Sequence, residues 1–293
     1  MLKSSFMDDF ELVFETPKPG RLPNGKRKPE FSPTRLRHYL MCPTYYRIEY
    51  VDKNGRFYHR AQAGWAFGST LHQTLQSFHE EGGAASVSQE QLVERLDQTW
   101  ISSGYRTPGV EEQHRAEAER ILTDYHEAAA ERAETTRTFL TEKTLKYDMG
   151  PFVLTGRVDR IDEHVDDKAL EIVDYKSRVD ITEIEVKEAL AMSIYQLLVK
   201  RLYPDRRVFA TIHALVGGVT ASASYTDEEL DALEDDIRGV GIEILERDFE
   251  AVYPKPIPGV CHECDFLELC ERYWRQEGIG YLQVLGLERG DRF

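Results

Sequence analysis

The sequence predicts an α/β fold: a central mixed sheet flanked by helices, with a helical lobe and a C-terminal tail that binds metal through cysteine. Three observations carry this. Apolar residues recur at helical spacing in segments of residues 31–139. The pattern then switches to short alternating segments, first over residues 141–177 and again after residue 207. Three of the four cysteines, Cys261, Cys264 and Cys270, fall within ten residues near the end of the chain.

Taken in order, residues 1–30 read as a flexible N-terminal arm, because KPGRLPNGKRKPE mixes Pro, Gly and charge without a period. Order is expected to begin at Phe31. Ser32 and Pro33 are a cap and first-turn pair for a helix with Leu36, Tyr39 and Leu40 on its apolar stripe. WAFGSTLHQTLQSFHE, residues 65–80, reads as a helix through Leu71, Leu75 and Phe78. Residues 85–139 form a helical insert of two or three segments. TEKTLKYDMG, PFVLTGRVDRID and ALEIVDYKS then read as strands divided by turns. A helix follows at about 183–203, with Leu190, Ile194, Leu197 and Leu198 on one stripe. VFATIHALV and VTASASY join through Gly217 and Gly218 as a hairpin. An acidic helix over 226–250 leads through YPKPIPG into the cysteine tail, residues 253–275, and a C-terminal tail, 276–293. The principal domain is therefore expected to span 31–275.

Hydrophobic content of 41% and charged content of 30% over 293 residues describe a soluble chain with its own core. No apolar run approaches the roughly 18 residues of a membrane span. The acidic start MLKSSFMDDFELVFE lacks the stretch of a secretory signal, so the expectation is cytoplasmic, with no membrane contact. The net charge of −15 weighs at first sight against nucleic acid. It is unevenly spread: residues 226–250 hold eleven carboxylates against Arg238 and Arg247, a balance of −9. Local basic clusters occur at Lys26, Arg27 and Lys28, at Arg35 and Arg37, and at Lys200, Arg201, Arg206 and Arg207. A nucleic-acid footprint is a property of one face, so the total charge excludes nothing.

The chemistry concentrates in TGRVDRID and EIVDYKS. Side chains alternate along a strand, so Asp174 and Lys176 share a face and Tyr175 takes the other. Asp159 lies on the preceding strand, with room for a turn between, so two carboxylates and a lysine can converge. Such a set suits Mg²⁺ or Mn²⁺, which prefer hard oxygen ligands and keep several waters. A metal there activates water and stabilises charge at a phosphodiester, and a lysine can orient the attacking water. A bare Asp-x-Lys is also met as a surface ion pair on a strand edge. His72, beside the Leu71/Leu75 stripe, is either a packed histidine or a ligand; His79, His114 and His262 read as surface histidines. The C-x2-C-x5-C spacing, with Cys42 as a distant fourth thiol, fits zinc, an iron–sulfur cluster or free thiols.

GRVDRID followed by IVDYKS resembles the core of the PD-(D/E)XK nuclease superfamily, specifically its RecB/AddB-like branch. FSPTRLRHYLMCPTYYRIEYV, FGSTLHQTLQ and SIYQLL resemble three further segments of that branch, so the likeness runs from about residue 31 to 275. The resemblance implies a restriction-endonuclease-like fold. It makes Asp159 and Asp174 metal carboxylates, Lys176 the catalytic lysine, and His72 and the Tyr175 carbonyl further metal ligands. Gln196 supports the site or the DNA backbone. It implies a 4Fe–4S cluster on Cys42, Cys261, Cys264 and Cys270, with zinc as the alternative. It implies a metal-dependent DNA nuclease, expected to be an exonuclease on single strands or strand ends. The context would be repair and recombination with a helicase partner, or CRISPR spacer processing with adaptation partners. Some members of the branch are instead inactive DNA-binding subunits of helicase–nuclease complexes; the intact Asp159, Asp174 and Lys176 favour activity. No G-x-x-x-x-G-K-[ST] occurs, so unwinding would need another protein. Lys200 stands where the branch has a tyrosine four residues after the glutamine, with Tyr195 or Tyr203 as substitutes.

Overall fold

The computed structural model describes residues 20–59 and 62–278. Its strands form one mixed sheet. A two-residue β1 (Glu30–Phe31) pairs in parallel with the start of β3. β2 (Thr136–Asp148) and β3 (Val153–His164) form a long antiparallel ribbon. β4 (Leu170–Lys176) runs antiparallel to the last third of β3. β5 (Val208–Ala214) lies parallel to β4, and β6 (Val219–Ala223) returns antiparallel to β5 across the Gly217–Gly218 turn. β1 and β4 thus share one edge of β3, and between their pairings Thr155–Asp159 has no ladder partner on that edge. The sheet is open at that interval.

Helices cover both faces, as a strand buried on two sides requires. α1 (Pro33–Met41) begins at Ser32, whose hydroxyl accepts from the Arg35 N–H at 3.2 Å, and is followed by the short α2 (Pro43–Tyr46). α3 (Ala63–Glu80), α4 (Gln89–Thr99) and α5 (Pro108–Arg132) form the lobe. Their Leu71, Leu75, Phe78, Leu92, Leu96 and Ile121 bury against Val173 and Tyr175 on one sheet face. On the other face, α6 (Glu183–Glu188), α7 (Leu190–Leu202) and α8 (Asp227–Glu246) join α1 over Ile161, Ile172 and Ile212. α8 turns Leu230, Ile237 and Ile244 inward and leaves most of its carboxylates to solvent. α9 (Leu267–Gln276) follows the cysteine pair. Among the described residues no helix is long and apolar enough to cross a membrane.

Three expected boundaries move. The helix expected over 183–203 is two, broken at Ala189, whose backbone is extended (φ −72°, ψ 108°). A stripe read by spacing alone does not detect one non-helical residue. The end of the helical insert, from Thr136, already belongs to β2. Within the arm, residues 20–30 are tied down: Leu22 and Lys26 close a turn, and Lys28 pairs with Asp148 at 2.5 Å before β1 begins. Residues 1–19 and 279–293, the rest of the two expected tails, lie outside the described residues.

Candidate active site

β3 and β4 part at the carboxylates. Arg160 pairs with Val173, so continued register would set Asp159 opposite Asp174. The ladder stops there. Asp159 Oδ2 instead accepts from the Tyr175 N–H at 2.9 Å and spans the fork with its side chain. Opposed residues project from the same face, so both carboxylates enter the opening. Lys176 Nζ lies against Asp174 Oδ2, yet that buried oxygen has no well-directed hydrogen bond. Burial, countered by Lys176 and reinforced by Asp159, pushes the Asp174 carboxyl up to about 6.

α3 supplies the imidazole. A side chain at Gly68 would stand 3.1 Å from Ser177 Oγ, so glycine lets this helix approach the end of β4 closely. One turn on, His72 Nε2 lies 3.0 Å from the Tyr175 carbonyl oxygen and Nδ1 lies 3.3 Å from Asp159 Oδ2. Burial alone would lower the His72 pKa, but the Asp159 carboxylate more than offsets it and the net shift is upward. On the opposite side of the fork, Gly156 leaves the space that Tyr195 and Leu198 of α7 occupy; a Cβ there would come within 2.9 Å of both.

The sequence reading missed Glu142. In the β2–β3 ribbon Thr141 pairs with Arg160 and Lys143 with Val158, which sets Glu142 opposite Asp159. Its φ of +46° is rare for a residue with a side chain and interrupts the ladder at that position. His72, Glu142 and Asp159 each offer a ligand atom, and the three atoms lie within 4.8 Å of one another. Burial, then the charge of Asp159, raises the Glu142 pKa; Arg157 pairs with it at 2.6 Å from the solvent side. Only the strand register reveals this residue, and register is not readable from a stretch such as TEKTLKYD.

The set fits a hard divalent cation. It offers carboxylates, a carbonyl and one imidazole, the ligands of Mg²⁺ and Mn²⁺ sites, and its buried Asp174 Oδ2 has only the Lys176 ammonium beside it among the described residues. Other expected residues fall elsewhere. Gln196 is buried, and its Oε1 accepts from the Tyr225 N–H at 3.2 Å while its Nε2 has no partner. It braces α7 against the segment after β6. Tyr195, its neighbour, is the tyrosine that feels Asp174, Asp159 and Glu142: burial first, then those charges, raise its pKa. Tyr203 packs on Phe139, and Lys200 pairs with Asp227. His79 is not a surface histidine; it bonds Tyr125 at 2.7 Å. His114 is half-buried against Phe67, whereas His262 is exposed.

The four cysteines meet at the C-terminal end of α1. Cys42, Cys261, Cys264 and Cys270 line one cavity walled by Tyr45, Ile48, Phe266 and Trp274. Burial, then the neighbouring thiols, pushes Cys270 up to about 12. Backbone N–H groups of Tyr45 and Ile257 point at Cys42 and Cys261 sulfur, at 3.4 and 3.2 Å.

The model of the PD-(D/E)XK nuclease superfamily matches residues 30–271, an interval that holds the fork and all four cysteines. No curated protein matches the chain.

Proposed function

This chain belongs to the PD-(D/E)XK nuclease superfamily, and from that premise we propose that it is a Mg²⁺- or Mn²⁺-dependent deoxyribonuclease, an exonuclease of the RecB/AddB-like branch that acts on single strands or strand ends. The observation that carries the reading is the convergence of His72, Glu142, Asp159, Asp174 and Lys176 at one fork. His72, Asp159, Asp174 and the Tyr175 carbonyl hold the cation, with Glu142 as a further ligand. When bound, the cation lowers the pKa of water and stabilises charge on the phosphodiester. Asp159 fixes the Tyr175 backbone through its N–H and so holds the carbonyl toward His72. Lys176, half-exposed and anchored on Asp174, is placed to orient the attacking water and to meet charge developing on a phosphate oxygen. The carboxylates are recessed, Asp174 at 5% exposure, which favours a flexible strand or a frayed end over an intact duplex.

The thiol pocket is read as the seat of a 4Fe–4S cluster with a structural role. The four thiols line one cavity, and the N–H groups aimed at two of them suit thiolate ligands. DNA end processing in repair and recombination, with a helicase partner, or in CRISPR spacer capture, is the setting this chemistry serves. The test is cleavage of end-labelled single strands against blunt duplex by the anaerobically purified chain with Mn²⁺. Stepwise shortening of the single strand is expected. Cleavage of the duplex alone, or of neither, removes the reading.

A further inference from the structure

We propose that Tyr125, on the helical lobe, is a positioning residue for the metal ligands at the fork, acting through Tyr175; the proposal rests on the nuclease reading above. Tyr175 faces both ways through the sheet. Its N–H donates to Asp159 Oδ2 at 2.9 Å and its carbonyl accepts from His72 Nε2 at 3.0 Å. One residue's backbone therefore touches two of the fork ligands and offers a third. The side chain runs to the opposite face, where it is 3% exposed, and its hydroxyl meets the Tyr125 hydroxyl at 2.8 Å. A shift of that ring moves the peptide groups at the fork.

The two hydroxyls sit in a hub. The Arg160 guanidinium donates to Tyr125, to Tyr175 and to His79 Nε2, and pairs with Asp162 Oδ2 at 2.9 Å. Because His79 Nε2 accepts from Arg160, the ring is neutral and its Nδ1–H donates to Thr138 Oγ1 at 3.1 Å. The hub does not fill a tight core. It borders a cavity of about 630 Å³ lined by His79, Tyr125, Arg160, Asp162 and His213, and Arg160 Nε and Asp162 Oδ1 have no hydrogen-bond partner among the described residues. Apolar residues there would close the space without the cost of burying an ion pair. What the polar hub supplies is direction: it fixes where the Tyr175 hydroxyl stands. α5, which carries Tyr125, contributes no ligand to the fork, so this contact is how the seating of α5 on the sheet is felt there.

The test uses the full chain and three variants, Tyr125→Phe, Tyr175→Phe and the double, each keeping ring and volume while removing a hydroxyl. Mn²⁺ binding is followed by electron paramagnetic resonance, and the Mn²⁺ concentration for half-maximal cleavage is measured beside it. Each single variant is expected to weaken Mn²⁺ binding about tenfold, as loss of a group that orients a metal ligand does, and Tyr125→Phe is expected to keep kcat at saturating Mn²⁺ within about twofold of wild type. The double variant is expected to be no weaker than the worse single, because both hydroxyls belong to one unit. Mn²⁺ affinities within about twofold of wild type, whatever happens to Tm, would make the hub a core feature and overturn the proposal; so would losses that simply add. A wild type that binds Mn²⁺ but never cuts sinks the nuclease reading and leaves the binding data to decide the role of Tyr125. A wild type that binds no Mn²⁺ sinks both.

Discussion

The fork and the cysteine pocket gather ligands in contrasting ways. At the fork, Asp159, Asp174 and Lys176 sit on adjacent strands of one sheet, with His72 and Glu142 brought in by a helix and a strand packed on them. Apolar packing on both faces holds these elements without help from the ligands. The pocket instead joins Cys42 to thiols more than two hundred residues on, Cys261 to Cys270, and its tail is held by Phe266 packed on Tyr45 and Tyr58, by the His59–Asp265 contact at 3.0 Å and by Trp274, whose indole bonds the Pro254 carbonyl at 2.8 Å. The sheet positions the fork whether or not a metal is bound; in the pocket a bound centre would have to do the positioning.

That contrast has measurable edges. The largest is at the pocket. Cys42→Ser removes the one thiol from the N-terminal side, and the loop closed by the centre is the whole catalytic core. Loss of the bound centre, a fall in Tm of more than about 5 °C and protease sensitivity after Tyr253 are expected. Iron and sulfide analysis of the wild type identifies the centre. Loss of iron with an unchanged Tm would show that the tail is held by packing alone, and retained iron would remove Cys42 from the ligand set.

An intermediate effect belongs to Glu142. Glu142→Gln keeps the side chain's size and the strand but removes one charged ligand, so the Mn²⁺ needed for half-maximal cleavage should rise about tenfold or more while Tm stays level. An unchanged Mn²⁺ requirement would return Glu142 to being the ion-pair partner of Arg157.

The smallest effect has the opposite sign. The Asp174 carboxyl is raised from an ordinary 3.8 to about 6 in the metal-free fold. The native state therefore holds an extra proton between those values, and this group makes stability fall as pH rises through that window. Asp174→Asn removes the buried charge. In chelator it should raise stability at pH 7 by on the order of 1–3 kcal/mol and by much less at pH 4. A less stable Asn variant at pH 7 would mean that the Lys176 contact outweighs the burial cost.

Much of this was legible before the structure. The switch from helical to alternating spacing places β3, β4, β5 and β6, and period two along EIVDYKS sets Asp174 and Lys176 on one face. Gly68 and His72 are readable as a motif, and the structure supplies the reason, a helix pressed against Ser177. Glu142 was not legible, because its role depends on which residue of β3 it faces. The hub was not legible either: Tyr125, Arg160 and His79 come from three elements, and each alone looks like an ordinary surface or core residue. Gln196 was legible as a residue of interest but not as a buried brace, since one helical residue's facing depends on the helix's rotation against the sheet.

The most direct measurement is Mn²⁺-dependent cleavage of an end-labelled single strand by wild type beside Asp174→Ala and Lys176→Ala. The account predicts that wild type cuts, and that both variants fold with the iron content of wild type and lose cleavage by about a thousandfold or more. Folded variants of that iron content that cut as wild type does would place the chemistry somewhere other than the fork.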